Sequence, residues 1–140
     1  MNNELMFSTG KDDWETPPDL FKKLDDEFHF TLDPCCTEQT AKCRKYYTKA
    51  TDGLKQDWGG ETVFVNPPYS AKEQDKWVKK CYEESQKPNT KVVALLPART
   101  DTERFHKYIL NHAEIRFIKG RIKFVGAKAP APFPSMIVIW

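Results

Sequence analysis

The chain has 140 residues, 39% hydrophobic and 13% aromatic, which is enough apolar material for one packed domain and argues against intrinsic disorder. No apolar stretch approaches a membrane span, the opening Met1-Asn2-Asn3-Glu4 lacks a signal-peptide pattern, and four cysteines without a regular framework suit a reducing compartment, so a cytoplasmic protein is expected. The net charge of +2 is unevenly spread: residues 91–140 carry nine Lys/Arg against three Asp/Glu, a balance that fits a polyanion partner or, equally, a solvated face.

Residues 1–13 are polar without a core pattern and are expected to form a flexible N-terminal segment, leaving residues 14–140 as a compact single domain. Thr16-Pro17-Pro18-Asp19 followed by Leu20, Phe21 and Leu24 predicts a turn and a short helix with proline in its first positions. Phe28 to Leu32 reads as a strand that ends at Asp33-Pro34, and residues 37–50 as a short helix with an irregular return. Turns at 52–54 and 58–60 precede a β-branched strand, Thr62-Val63-Phe64-Val65. Residues 72–86 predict a helix with Trp77, Val78, Cys81 and Tyr82 on its apolar face. A strongly apolar strand, 91–96, stops at Pro97, and a helix over 101–112 has Asp101 near its N-cap. Residues 115–118 and 122–125 alternate as paired antiparallel strands do, and a Pro-rich loop leads to a last strand, 135–140. Strand–helix alternation followed by an antiparallel edge predicts an open α/β sheet, mostly parallel with antiparallel C-terminal strands.

In such a sheet, ligands bind beyond the carboxyl ends of the strands. Two of those ends carry chemistry: Asp33-Pro34-Cys35 and Asn66-Pro67-Pro68-Tyr69. Proline fixes φ, lacks an N–H and drives the residue before it into extended backbone. The Asn66 side chain and the Pro67 carbonyl are then held as two acceptors on a stiff chain, with the Tyr69 ring as a flat plate beside them. Together they suit a planar molecule bearing an exocyclic amino group. Asp33 can hold a cofactor's amine or hydroxyls or simply close a strand-end turn. Asp57 is placed to do likewise or to be a solvated loop residue, and Trp58 can flank an adenine ring. Cys35, Cys36 and Cys43 form no Cys-x-x-Cys pair and are expected to be small, partly buried residues, with no metal.

Asn-Pro-Pro-Tyr after an apolar strand resembles the catalytic signature of S-adenosylmethionine-dependent amino-group methyltransferases. The ordered set Trp14-Glu15-Thr16-Pro17-Pro18, Leu32-Asp33-Pro34-Cys35, Gln56-Asp57-Trp58, Val65 to Ser70, Leu95 to Thr102, Gly120 to Phe124 and Pro132 to Ser135 is similar to the small phage-type DNA N6-adenine methyltransferases. That resemblance implies a Rossmann-like methyltransferase fold and S-adenosylmethionine as cofactor. It implies double-stranded DNA as partner, and a monomer or homodimer in a bacterial host's cytoplasm, encoded by a phage or prophage. It places Thr16 and Pro17 at the methionine end of the cofactor, Asp33, Pro34 and Cys35 in its binding turn, and Asp57 and Trp58 on its adenine. The target base falls to Asn66, Pro67, Pro68 and Tyr69, with Phe124 or Phe133 closing the other side. Arg99, Arg104, Arg121, Lys123 and Lys128 are candidates for DNA phosphates. One departure stands out: the turn Asp33-Pro34-Cys35-Cys36-Thr37-Glu38 has no glycine where such cofactor loops are glycine-rich, and Glu38 is a candidate for the ribose. The same clamp would serve cytosine N4 or a protein glutamine, and a non-catalytic DNA-binding module could keep it as scaffold.

Overall fold

In the computed structural model, which describes residues 14–140, the alternating β-branched and apolar runs lie side by side in one six-stranded sheet. In chain order its strands are β1 (Leu32–Asp33), β2 (Lys45–Tyr46), β3 (Thr62–Val65), β4 (Lys91–Pro97), β5 (Glu114–Phe117) and β6 (Ser135–Ile139), arranged β2-β1-β3-β4-β6-β5. The pairs β2-β1, β1-β3 and β3-β4 are parallel, with Val63 opposite Val92 and Val65 opposite Ala94. β6 is antiparallel to both neighbours, β4 and β5, so it alone runs against the rest. The expected N-terminal segment, residues 1–13, lies outside the described residues.

Period-two alternation sends β3 and β4 side chains to two cores. Val63, Val65, Val92, Ala94 and Leu96 face α2 (Ala71–Ser85) through Trp77, Val78 and Cys81. Phe64, Val93 and Leu95 face the other way, toward Leu24 of α1 (Pro18–Phe28) and toward Phe124 and Phe133. A parallel sheet covered on both faces must read as continuous apolar strands, as β4 does. α2 begins where Ser70 Oγ accepts the Glu73 N–H (3.4 Å).

Four local expectations differ. Phe28 to Leu32 is not one strand: α1 runs through Phe28 and is ended by His29 in the left-handed region (φ 59°), so only Leu32–Asp33 joins the sheet. Residues 37–50 hold no helix; turns lead to the short edge strand β2, too brief and polar to show a period. The helix expected over 101–112 is a π-helical segment, Phe105–Ile109, and Thr102 rather than Asp101 accepts an N–H near its start, that of Phe105 (3.3 Å). Ile122 and Phe124 are buried in alternation, but residues 122–125 have no ladder partner; β5 pairs with β6 instead.

Candidate active site

The strand order reverses between β1 and β3, since β2 lies on one side of β1 and β3 on the other. Ligands of open α/β sheets bind in the crevice that such a switch opens at the carboxyl ends. A cavity of about 560 Å³ lies there, bounded by Asp33, Pro34 and Cys35 after β1, by Asn66 and Pro68 after β3, and by Thr16 just ahead of α1.

Asn66 is the best-defined group. Its Nδ2 donates to the Trp14 carbonyl and to Thr16 Oγ1 (3.0 Å). A carbonyl can only accept, so this contact fixes which end of the amide is nitrogen. The Oδ1 atom is consequently turned the other way, buried and without a hydrogen-bond partner; among the described residues only Ser135 Oγ shares that condition. Buried acceptors are normally paired, and leaving one empty costs about 1–3 kcal/mol. The segment after Asn66 is pinned: buried Gln74 donates from Nε2 to the Pro68 carbonyl (2.9 Å), and the Tyr69 hydroxyl donates to the Leu95 carbonyl of β4 (3.2 Å). Burial pushes the Tyr69 hydroxyl far above its ordinary pKa, so it stays a donor. Phe124 and Phe133 stand steeply inclined to the Tyr69 ring, with centroids 6.0 and 5.4 Å away.

The β1 side is built differently. Asp33 is only 3% exposed, and its two carboxylate oxygens accept the backbone N–H groups of Cys35 (3.2 Å) and Lys42 (3.0 Å), closing the 33–42 loop on itself. Burial outweighs these bonds and pushes its pKa up to about 6. Burial and the nearby Asp33 charge push the Cys36 and Cys43 thiols up to about 12, so both remain protonated. The turn lacks glycine, yet one packs directly against it. Gly53, in the short 3₁₀ turn Gly53–Lys55, sits so close that a Cβ there would lie 2.0 Å from the Pro34 carbonyl oxygen. Only glycine, without a Cβ, lets these two backbone segments pack this closely.

Trp58 and Asp57 do not line the cavity. Trp58 is fully buried behind it: its Nε1 donates to the Gly53 carbonyl (3.0 Å) and its ring stacks on Trp77 (6.2 Å, 24°). Asp57 is on the surface, paired with Lys87 Nζ at 2.8 Å. Trp77, expected only to fill the core, reaches the cavity wall, as do Asp52, Lys42, Lys49 and Glu73, while Glu38 and Pro17 do not. Asp52 was readable only as part of a turn; its left-handed φ of 54° holds the Asp52-Gly53 corner against the cavity. Of the phosphate candidates, Arg99, Arg121, Lys123 and Lys128 are exposed, with Arg99 over the Phe133 ring at 5.6 Å, whereas Arg104 is tied to Asp75 at 2.9 Å.

A mostly parallel α/β sheet with a cavity at its switch point, walled by carboxylates and a buried amide, defines a ligand-binding domain of the open α/β class. The chain belongs to the DNA N-6-adenine-methyltransferase (Dam) family, whose model matches residues 5–140. It is 35% identical over 111 residues to a DNA N-6-adenine-methyltransferase of Escherichia phage T1, covering 78% of this chain and 45% of that protein. It is 33% identical over 118 residues to one from Haemophilus phage HP1, covering 82% of this chain and 67% of that protein. The matched part thus spans less than half of the T1 relative and two-thirds of the HP1 one. No helix among the described residues is long and apolar enough to cross a membrane.

Proposed function

We propose that the chain transfers the methyl group of S-adenosylmethionine to N6 of an adenine extruded from double-stranded DNA, in the cytoplasm of a bacterial host. The observation that carries this reading is Asn66 Oδ1: a buried acceptor without a hydrogen-bond partner, on an amide whose nitrogen is already committed to Trp14 and Thr16. An adenine amino group is such a donor, and the family to which the chain belongs is named for that nitrogen.

The cavity falls in the range usual for small-molecule sites, about 300–1,000 Å³, and its lining suits the donor. Asp33 and Asp52 offer carboxylate oxygens to an ammonium or to ribose hydroxyls, and Trp77 offers a flat apolar wall to a purine. Bound there, S-adenosylmethionine would supply an electrophilic methyl on a sulfonium. Asn66 Oδ1 and the Pro67 carbonyl accept the two N6 hydrogens, drawing the lone pair out of the ring and toward that methyl. Tyr69 would hold the base plane in line with the methyl, which would pass from sulfur to N6 with the spare N6 proton going to water. Within a duplex N6 is unreachable in this geometry, so the base must be flipped out. Arg99, Arg121 and Lys123, all exposed, would hold the backbone, and the protein would act as a monomer or homodimer.

The test is to incubate the purified protein with DNA and methyl-labelled donor, hydrolyse the DNA to nucleosides and separate them. Label is expected in N6-methyldeoxyadenosine. Label in N4-methyldeoxycytidine, or none in DNA, overturns the reading.

A further inference from the structure

Lysine ammonium groups normally reach out to water. Lys42 does not: its side chain is only 17% exposed, and it lines the cavity beside the carboxyl end of β1. Its backbone is seated by Asp33, whose Oδ2 accepts the Lys42 N–H (3.0 Å). Its Nζ makes one polar contact among the described residues, to Glu15 Oε2 at 3.4 Å, although an ammonium carries three N–H groups. Glu15 lines the same cavity, so a ligand meets an ion pair there rather than a lone charge. Lys49, the other cation of the wall, is exposed.

The sheet sets where this pair lies along the cavity. Trp77 and Leu54 belong to the core on the α2 face, and Trp14 and Phe64 to the core on the α1 face. A cavity lined by all four crosses the carboxyl edge of the sheet from one face to the other. Glu15 stands between Trp14 and Thr16, the two residues to which Asn66 Nδ2 donates, so the ion pair belongs to the α1 side, opposite Trp77. A sulfonium donor has three arms. With its purine on Trp77 and its methyl at Asn66, the third arm, an amino acid, is left for the α1 side. Resting on the S-adenosylmethionine reading above, we infer that Lys42 anchors the α-carboxylate of the methyl donor, with Glu15 beside it meeting the α-ammonium. A plain carboxylate would be repelled by Glu15, whereas a zwitterion offers each member of the pair its opposite charge. Holding the third arm also aims the methyl.

The test is calorimetric titration of the full chain with two nucleosides that share the adenosyl thioether. S-Adenosylhomocysteine carries the whole amino-acid end; S-adenosyl-3-thiopropylamine keeps the ammonium and lacks the carboxylate. Wild type should bind the first at least about tenfold more tightly, the worth of one hydrogen bond to a charged group. Lys42→Met, which keeps the stem and removes the charge, should erase that preference by weakening the first ligand alone, with a thermal midpoint near wild type. Lys49→Met should keep the preference. Equal affinity of wild type for the two ligands overturns the anchor without any variant. A Lys42→Met protein that retains the preference overturns it too, and if both affinities have fallen alike, Lys42 only holds the loop. Loss of the preference in Lys49→Met moves the anchor to the wrong lysine and also overturns the inference. If wild type binds neither nucleoside, the methyl-donor reading fails and the anchor with it. If the preference is seen but no adenine is methylated, the anchor stands and the proposed function fails.

Discussion

The carboxyl ends of β1 and β3 lie next to each other in the sheet, and they are made by opposite means. At β3 four consecutive residues suffice: two prolines stiffen the chain, Asn66 presents an acceptor, and Tyr69 is pinned to β4 through Leu95. At β1 the wall is pooled from segments far apart in the chain, with Asp33 to Cys35, Lys42, Asp52-Gly53 and Trp77 meeting around one cavity. The β3 end is aromatic and leaves one buried acceptor unpaired; the β1 end is polar and occupies its buried carboxylate with its own backbone. A locally encoded site can be broken chemically without disturbing its neighbour, while a pooled site fails when any one of its close approaches is lost.

That difference sets the expected mutational effects. The largest belongs to Asn66→Ala, which removes the acceptor and should lower methyl transfer by about 10²–10³ or more, as loss of a single transition-state hydrogen-bonding group does. Calorimetric titration with S-adenosylmethionine should give an affinity within about threefold of wild type; a parallel loss of cofactor binding would erase the distinction between the two ends. Next is Gly53→Ala. The new Cβ meets the Pro34 carbonyl at 2.0 Å, so the backbone must part, and overpacking of this kind costs about 1–3 kcal/mol. Cofactor affinity and thermal midpoint should fall together.

A smaller effect concerns pH. Asp33 has a folded-state pKa raised to about 6 from an ordinary 3.8, because burial disfavours its charge. Between those values the native state holds more protons than the unfolded one, so the contribution of Asp33 to stability is fully present below about 4 and is lost as pH rises through 6. Cofactor binding should run the other way. An ammonium or hydroxyl partner needs the carboxylate, so affinity should drop as pH falls through 6, approaching tenfold per unit, and Asp33→Asn should flatten the profile. A flat wild-type profile would remove Asp33 from the cofactor.

Much of the β3 end was legible in the sequence because its cause is local. The run Thr62–Val65 is a strand as read, and the turn after it follows from proline geometry. α2 was legible from its 3.6-residue period, to within one residue at each end. The β1 end was legible only in part. Asp33-Pro34-Cys35 sits where expected, but Gly53 matters through a contact with a residue 19 positions earlier, which no local pattern records. Trp58 and Trp77 show the same limit. Both stack in one core, and sequence proximity to the clamp strand favoured Trp58, yet it is the helix-borne Trp77 that reaches the cavity. Ile122 and Phe124 alternate in burial as a strand would, because they pack on the sheet face, although no partner strand is beside them.

The most direct test of the central claim, that Asn66 reads an amino group, is a crystal structure of the protein with an inert cofactor analogue and duplex DNA carrying its methylated sequence. An extruded adenine is predicted to place N6 within about 2.7–3.2 Å of Asn66 Oδ1, with Nδ2 still on the Trp14 carbonyl. An adenine whose N6 lies elsewhere, with Oδ1 unpaired or turned to another group, would contradict it.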